Sequence, residues 1–463
     1  MPNFNPTGSE SLYTALLAVG CATATLWQLR VAIRMKAWSA LYWLCLALVF
    51  SLPVILDTTI GVPYTAASVR LPFLYVGMLP GVAFAFVHIV STVLSWHWIR
   101  PKLRSSHAVT LYPTDISQLS ALPFILCFVI SGGAMIYQRA DLTKQFNDFL
   151  DVNSAPQYAT YFFLASAPLM TILVQRRSRG LVLAIAGASV IVAYFNGIRY
   201  YMFPFVGYLV WSRFIESRTK IKPERIALII GAVVIGWIGL TYWGILRGSG
   251  MRATPIEALS ELNSQDVTES LLLGNEFSTR LAYYDLSYRM WNGFVPPRPV
   301  DEIEGTLGSM VYPIVLRPFG WMPPTSNAKV IYEIQTGQMD TGVSTGALPF
   351  GSDWVTWGTI GCALGGVIMG FLLAGFDELH ARRGLVWILV GPLSAFQLIF
   401  FARGGTDVWL GLWGRAMPLS IALFIAARLL AIMRHKPVES LARPHHAKSI
   451  AHRVFHPELP PSG

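Results

Sequence analysis

The chain has few charged residues. Asp, Glu, Lys and Arg make up only 13% of its 463 residues, and hydrophobic residues make up 54%. Soluble domains carry roughly 25% charged residues, so this composition excludes an ordinary water-soluble domain and favours a polytopic membrane protein. Cysteine is equally scarce. The four cysteines lie in apolar runs without CxxC or Cys/His spacing, so we expect neither a disulfide framework nor a metal centre: Cys21, Cys45, Cys127 and Cys362.

The formal net charge is +10. The basic residues form short clusters between apolar runs rather than one binding stripe, so we expect no nucleic-acid partner. The apolar runs themselves have the length of membrane-spanning helices. They predict an all-α integral membrane protein with about eleven transmembrane helices, at residues 11–30, 38–56, 71–95, 119–138, 157–175, 180–195, 201–215, 226–246, 351–376, 385–402 and 408–432.

Every second connection between these spans is basic. The positive-inside rule therefore places those connections, and the C-terminus, in the cytoplasm and the N-terminus outside. We expect one transmembrane domain over residues 1–432, containing one large external loop at 247–350, and a basic cytoplasmic tail without fixed structure at 433–463. The basic clusters are Arg30, Arg34 and Lys36; Arg100, Lys102 and Arg104; Arg176, Arg177 and Arg179; Arg218, Lys220, Lys222 and Arg225; and Arg382 and Arg383.

The external loop is rich in aromatic and charged residues, which is not the composition of a disordered linker. Residues 266–291 predict an amphipathic helix, so we expect short helices that cap the membrane domain. Within it, Glu276 and Arg280 have the i,i+4 spacing of a surface ion pair. Tyr284 and neighbouring aromatic side chains suit either packing on the helix bundle or stacking on sugar rings.

Two short external connections each place an arginine beside glycine at a helix end. They are Phe195-Asn196-Gly197-Ile198-Arg199 and Phe401-Ala402-Arg403-Gly404-Gly405-Thr406-Asp407. A single interfacial arginine often has no role beyond contact with headgroups. Two of them beneath one large loop favour a diphosphate site, because the guanidinium group binds phosphate oxygens in pairs.

The second half of the chain resembles Wzy-type polymerases of bacterial surface polysaccharides, particularly the enterobacterial common antigen polymerase branch. The two arginine connections are similar to elements of that branch. Further similarity lies in Pro323-Pro324-Thr325-Ser326-Asn327, Thr341-Gly342-Val343-Ser344-Thr345, Phe350-Gly351-Ser352-Asp353-Trp354 and Trp357-Gly358-Thr359-Ile360-Gly361.

The resemblance implies a glycosyltransferase of the bacterial inner membrane that uses undecaprenyl diphosphate-linked oligosaccharides at the periplasmic face. It implies no metal and no cofactor. Membrane lipids, a chain-length regulator and a flippase are candidate partners. Arg199 and Arg403 would bind the diphosphate leaving group. The candidate bases are Asp353, at the mouth of a span, Glu276 and Asp285. Further substrate contacts are expected from Arg280, Tyr284, Arg289, Arg317, Trp321 and Asp407.

Other classes stay open, among them a different polyprenyl-lipid-dependent membrane glycosyltransferase and a non-enzymatic assembly subunit. An O-antigen ligase uses the same lipid carrier, but that family is expected to use an external histidine, and none of the nine histidines lies in an external loop. A transporter would show charged pairs at mid-membrane. His88, inside the third span, is expected to be a neutral imidazole bonded to a neighbouring helix. The glycines at 358, 361, 365, 366 and 370 predict close helix packing.

Overall fold

The computed structural model describes residues 8–59, 73, 75–105, 119–140, 156–196, 199–209, 212, 275–293, 327–336, 348–382, 385–402 and 406–435. All regular secondary structure in these ranges is helical, which confirms the all-α prediction. The α-helices are α1 (Gly8–Arg34), α2 (Ala40–Leu46), α3 (Leu52–Thr59), α4 (Met78–Ser105), α5 (Leu122–Ala140), α6 (Pro156–Ala165), α7 (Pro168–Gln175), α8 (Arg179–Asn196), α9 (Asn275–Trp291), α10 (Asn327–Thr336), α11 (Leu348–Trp357), α12 (Gly361–Arg382), α13 (Leu385–Phe401) and α14 (Thr406–His435).

Five helical stretches in the described ranges are long and apolar enough to cross a membrane: Glu10–Arg34, Ala40–Thr59, Met78–Arg104, Leu348–Arg382 and Ala416–Met433. Shorter apolar helices cover three more predicted spans. The predicted seventh span begins with a 3-10 turn at Arg199–Met202 and a π turn at Phe203–Gly207, and the eighth, at 226–246, lies outside the described residues. The chain is therefore a helical protein with membrane-spanning character.

Helices α1, α4 and α12 run side by side in the same direction. Gln28 of α1 contacts His97 of α4 at 3.0 Å, and the Arg382 guanidinium at the end of α12 donates to the Leu103 carbonyl of α4 at 2.6 Å. Basic residues in and next to the last turns of these three helices define what we call the basic end of the bundle. The set is Arg34, Lys36, Arg100, Lys102, Arg104 and Arg382.

The π turn Ala47–Ser51 joins α2 to α3, and together they return across the bundle against α1. Ser39, just before α2, donates to Asp377 near the end of α12, whereas Asp57 in α3 contacts the loop helix α9. The opposite side of the bundle, where α3 ends and α4 begins, is therefore the loop end. Pro80 lies in the first turn of α4 and does not interrupt the helix, because the first amide groups of a helix have no intrahelical partner.

Helices α5 to α8, α13 and α14 extend this core. Phe128 of α5, Phe163 of α6 and Phe205 of the π turn pack ring against ring at centroid distances of 5.0–5.2 Å. Ser420 of α14 donates to the Ala165 carbonyl at 2.9 Å. Trp387 near the start of α13 packs on Trp38 at 4.9 Å, which brings this layer against α2 at the basic end.

The predicted span at 351–376 is divided by a chain reversal. Gly358 has φ +69°, a left-handed conformation that suits glycine, and a 3-10 turn at Gly358–Ile360 follows. A Cβ atom on Gly361 would overlap the Asp353 backbone, and one on Gly365 would overlap the Asp353 carboxylate. A continuous helix would hold Asp353 and Gly365 about 18 Å apart. Helix α11 therefore folds back along α12.

Glycines of α12 serve two contacts. Gly361 and Gly365 face α11, whereas a Cβ on Gly366 would lie 2.5 Å from the His88 carbonyl oxygen, and one on Gly370 2.6 Å from the Thr92 carbonyl oxygen of α4. This confirms the predicted close packing at these four positions. The prediction is wrong for Gly358, which has open space around it and serves the turn instead.

Candidate functional site

Loop helix α9 is fixed to the end of α3 by a buried ion pair. Arg280 donates from Nε to Oδ2 of Asp57 at 2.7 Å and from Nη2 to Oδ1 at 2.9 Å. The Tyr284 hydroxyl adds a third bond to Oδ2 at 3.0 Å. Both members of the ion pair are at most 4% exposed. A two-pronged guanidinium–carboxylate pair of this kind sets the position and the rotation of α9 together.

Helix α9 lies on two glycines, Gly77 just before α4 and Gly81 in its first turn. A Cβ on Gly77 would overlap the Tyr284 carbonyl, and one on Gly81 would lie 3.1 Å from the Tyr284 ring. The Tyr283 hydroxyl donates to the Gly81 carbonyl at 2.9 Å. Gln335 of α10 donates to the Ala282 carbonyl at 2.8 Å. The loop helices therefore form a packed cap on the bundle, and larger residues at the two glycines would lift α9 away.

Asp285 of α9 binds the segment that leads into α4. The Asp285 carboxylate accepts the Phe73 amide at 3.0 Å and the Nε–H of Arg289 at 3.2 Å. The Arg289 guanidinium lies 5.0 Å from the centre of the Phe73 ring, which stacks on Tyr288 at 4.6 Å. Arg289 thus combines an ion pair with a cation–π contact.

These contacts change the interpretation of several predicted residues. Arg280 is not part of a surface ion pair, because it is buried against Asp57. Tyr284 is packed on α4 with its hydroxyl on the same carboxylate. Burial raises the pKa of both Tyr283 and Tyr284 well above the ordinary value, so both phenols stay protonated donors.

Asp353 lies inside the bundle rather than at an open mouth of a span. It is 2% exposed, on α11, and its Oδ2 lies 3.2 Å from Nδ1 of His88 in α4. The same nitrogen is aligned with the Cys362 carbonyl oxygen at 3.1 Å. The expected bond from His88 to a neighbouring helix is confirmed. The external position expected for Asp353 is wrong, because α11 folds inward along α12.

For the remaining predicted residues, the structure describes either the backbone alone or nothing. Arg199 opens the 3-10 turn after α8, Glu276 lies in the first turn of α9, and Asp407 lies in the first turn of α14. Their side chains, and the whole of Arg403, Arg317 and Trp321, lie outside the described residues. The predicted set is thus brought together in part, with Arg280, Tyr284 and Arg289 along one helix.

The sequence analysis did not identify the surface at Gly77 and Gly81 on which α9 packs. Its only signal is Gly77-Met78-Leu79-Pro80-Gly81, a glycine pair of the close-packing type at the start of a span. In the described ranges, no group of three His, Cys, Asp or Glu residues is positioned to hold a metal ion. The four cysteines are free thiols.

The fold and these contacts define a helical protein with membrane-spanning character and a packed cap of short helices at one end of its bundle. No protein-family profile, no curated protein and no solved structure matches this chain.

Proposed function

We propose that the protein is a membrane glycosyltransferase that joins undecaprenyl diphosphate-linked oligosaccharide repeat units into a surface polysaccharide. The observation that carries this proposal is the cap: α9 and α10 pack on the bundle end opposite the basic turns. Basic turns favour the cytoplasmic side, so the cap would face the periplasm of a bacterial inner membrane. A lipid-linked glycan presents its sugars on that side, at the depth of the headgroups.

The chemistry is a transfer of the growing glycan between carriers. The bond between the anomeric carbon and the diphosphate oxygen breaks, and the hydroxyl oxygen of the acceptor sugar bonds to that carbon. The hydroxyl proton passes to a base, and undecaprenyl diphosphate leaves with the electron pair. Negative charge grows on the diphosphate, so Arg199 and Arg403 are proposed to bind it; one such donor is typically worth about 3–4 kcal/mol.

The two proposed bases differ in access. Asp353 is enclosed between α11, α12 and α4, so it meets a sugar hydroxyl only if α11 moves. Glu276 lies in the first turn of α9, one turn before the buried Arg280. The anchor at Arg280 would hold the backbone at Glu276 on the cap, and a general base contributes about 10²–10⁴ in rate. Glu276 is therefore the stronger proposal for the base.

The test is complementation of a deletion strain, read as a ladder of polysaccharide lengths at matched membrane levels. The wild-type chain should restore multi-repeat products, and Arg199→Ala and Arg403→Ala should leave a single repeat. Arg179→Ala is the matched control, because Arg179 is exposed at the start of α8, near the basic connection after α7, and should leave the ladder intact. Glu276→Gln should resemble the two arginine variants more than the control.

Other results would overturn the proposal and indicate another class. Long chains that fail to reach their lipid acceptor in the deletion strain would indicate a ligase. Repeat units trapped on the cytoplasmic side would indicate a transporter. Long chains made and attached normally would remove the protein from this process altogether.

A further inference from the structure

Three buried carboxylates lie at three levels of the same bundle. Asp57 marks the loop end and Asp377 marks the basic end. Asp353 lies between them, because its partner His88 is seven residues of α4 from Gly81 and eight from Trp96. At helical rise these separations are about 10 Å and 12 Å, which places the pair near the middle of the span. Ionisable groups at such depth are costly and usually have a function.

The two outer carboxylates have full sets of donors. Asp57 receives two bonds from Arg280 and one from Tyr284. Asp377 receives the Ser39 amide at 2.8 Å, the Ser39 hydroxyl at 2.7 Å and Nε1 of Trp96 at 2.7 Å. Three donors, or a two-pronged cation, stabilise a carboxylate in a low-dielectric interior. Both residues therefore fasten helices together as permanent contacts.

Asp353 lacks such a set. His88 Nδ1 is within ion-pair distance of its Oδ2, but the nitrogen is aligned with the Cys362 carbonyl, and Oδ2 has no hydrogen bond among the described residues. His88 Nε2 and the Tyr42 hydroxyl are likewise buried without a hydrogen-bond partner in those residues. Structural polar groups are nearly always satisfied, so a buried carboxylate oxygen without a hydrogen bond beside a buried imidazole needs an explanation.

Two phenols and a thiol lie near this pair. Tyr42 of α2, Tyr283 of α9 and Cys362 of α12 each interact electrostatically with Asp353. Cys45 interacts electrostatically with Tyr42, and Cys21 with Tyr283. Among the described residues, no Lys or Arg pairs with Asp353, so His88 is the one group there that can balance its charge.

We propose that His88 and Asp353 form an intramembrane proton-binding site. With one titratable proton the pair is neutral, either as imidazolium and carboxylate or as imidazole and carboxylic acid. Loss of that proton leaves one negative charge at mid-span, and gain of a second leaves one positive charge. Both charged states are costly in a low-dielectric interior, so the pair binds and releases a proton as a unit.

The site is built into the chain reversal at Gly358. Asp353 reaches it from α11, and its carboxylate lies directly on Gly365 of α12, while His88 reaches it from α4. Since Gly365 leaves no spare volume, a change of charge on the pair acts on the packing of α11 against α12 and α4. The inference concerns the proton alone and does not depend on glycan transfer.

The test is an infrared titration of the purified full-length protein in lipid nanodiscs, from about pH 4 to 10, in H₂O and D₂O. The readout is the carbonyl band of a protonated carboxyl group, which is outside the range of carboxylate absorption. The wild-type protein should show a band that titrates and that is absent in Asp353→Asn. In His88→Gln the band should persist at alkaline values where the wild type has lost it, with a midpoint moved by about one pH unit or more.

Glu378→Gln is the matched control, because Glu378 lies on α12 beside Asp377 but pairs with the partly exposed Arg382 at 3.0 Å. It should keep the wild-type titration of the buried band. The inference is overturned if the titrating band survives in Asp353→Asn, or if no buried carboxyl titrates. Should Asp353→Asn fail to fold, a folded His88→Gln protein with the wild-type midpoint overturns it equally.

Discussion

Removing the Arg280 guanidinium should release the loop helix from the bundle. In the Arg280→Ala variant, the buried Asp57 carboxylate keeps only the Tyr284 hydroxyl among the three donors that contact it. Breaking one partner of a buried ion pair typically costs about 3–5 kcal/mol, because the remaining charge stays in a low-dielectric site. At about 1.4 kcal/mol per factor of ten, the undocked fraction of α9 should rise by about two to three and a half orders of magnitude.

Thiol labelling of a Ser287→Cys background measures this directly. Ser287 is fully buried between α9 and Gly81, so a thiol there reacts only when α9 leaves its seat. When closing is faster than labelling, the labelling rate is proportional to the open fraction. The same variants with Ser287 retained give the background labelling of the four native cysteines.

Two further variants distinguish loss of the Asp57–Arg280 ion pair from nonspecific destabilisation of α9. Arg289→Ala breaks a single-bonded i,i+4 pair whose arginine is 15% exposed and whose Asp285 carboxylate keeps the Phe73 amide, so labelling should rise by less than in Arg280→Ala. Asp57→Leu with Arg280→Met removes both charges and should recover most of the loss. If the labelling rate of Arg280→Ala stayed within about threefold of that of its Ser287→Cys parent, the ion pair would contribute at most about 0.65 kcal/mol to the docking of α9. That result would refute its role as the anchor.

Three other predictions follow from buried contacts. Gly365→Ala should destabilise the protein in detergent by about 1–3 kcal/mol, because the methyl group overlaps the Asp353 carboxylate, whereas Gly375→Ala on the same helix has open space and should not. Asp377→Asn should cost about 1–3 kcal/mol, read as a lower melting temperature, since an amide cannot accept all three donors. Burial raises the pKa of Tyr284, so docking of α9, read by thiol labelling, should be constant below about pH 10 and weaken above it, less steeply in Tyr284→Phe.

The helices themselves could be predicted from the sequence. A long apolar run in lipid forms an α-helix, because a helix satisfies its own backbone hydrogen bonds. Outside those runs, the predicted helix at 266–291 overlaps α9 at Asn275–Trp291. The glycines of α12 also predicted its packing, because glycine in a membrane span allows neighbouring helices to approach closely. These features depend on neighbours along the chain, which a sequence displays directly.

The contacts that define the site could not be predicted in the same way. Asp57 and Arg280 are separated by 223 positions, and no local pattern links them. His88 meets Asp353 only because the chain reverses at Gly358, which looks like one more glycine of a stripe. Which buried charges pair depends on which helices are neighbours in space, and hydropathy along the chain does not reveal those neighbours.

The most direct test of the proposed function is reconstitution of the purified chain in liposomes with a lipid-linked repeat unit as the sole substrate. We predict products of two or more repeats with release of undecaprenyl diphosphate, lost in Arg199→Ala and Arg403→Ala and kept in Arg179→Ala. Unchanged single repeats in the presence of folded wild-type protein would contradict the account, as would equal activity in all three variants.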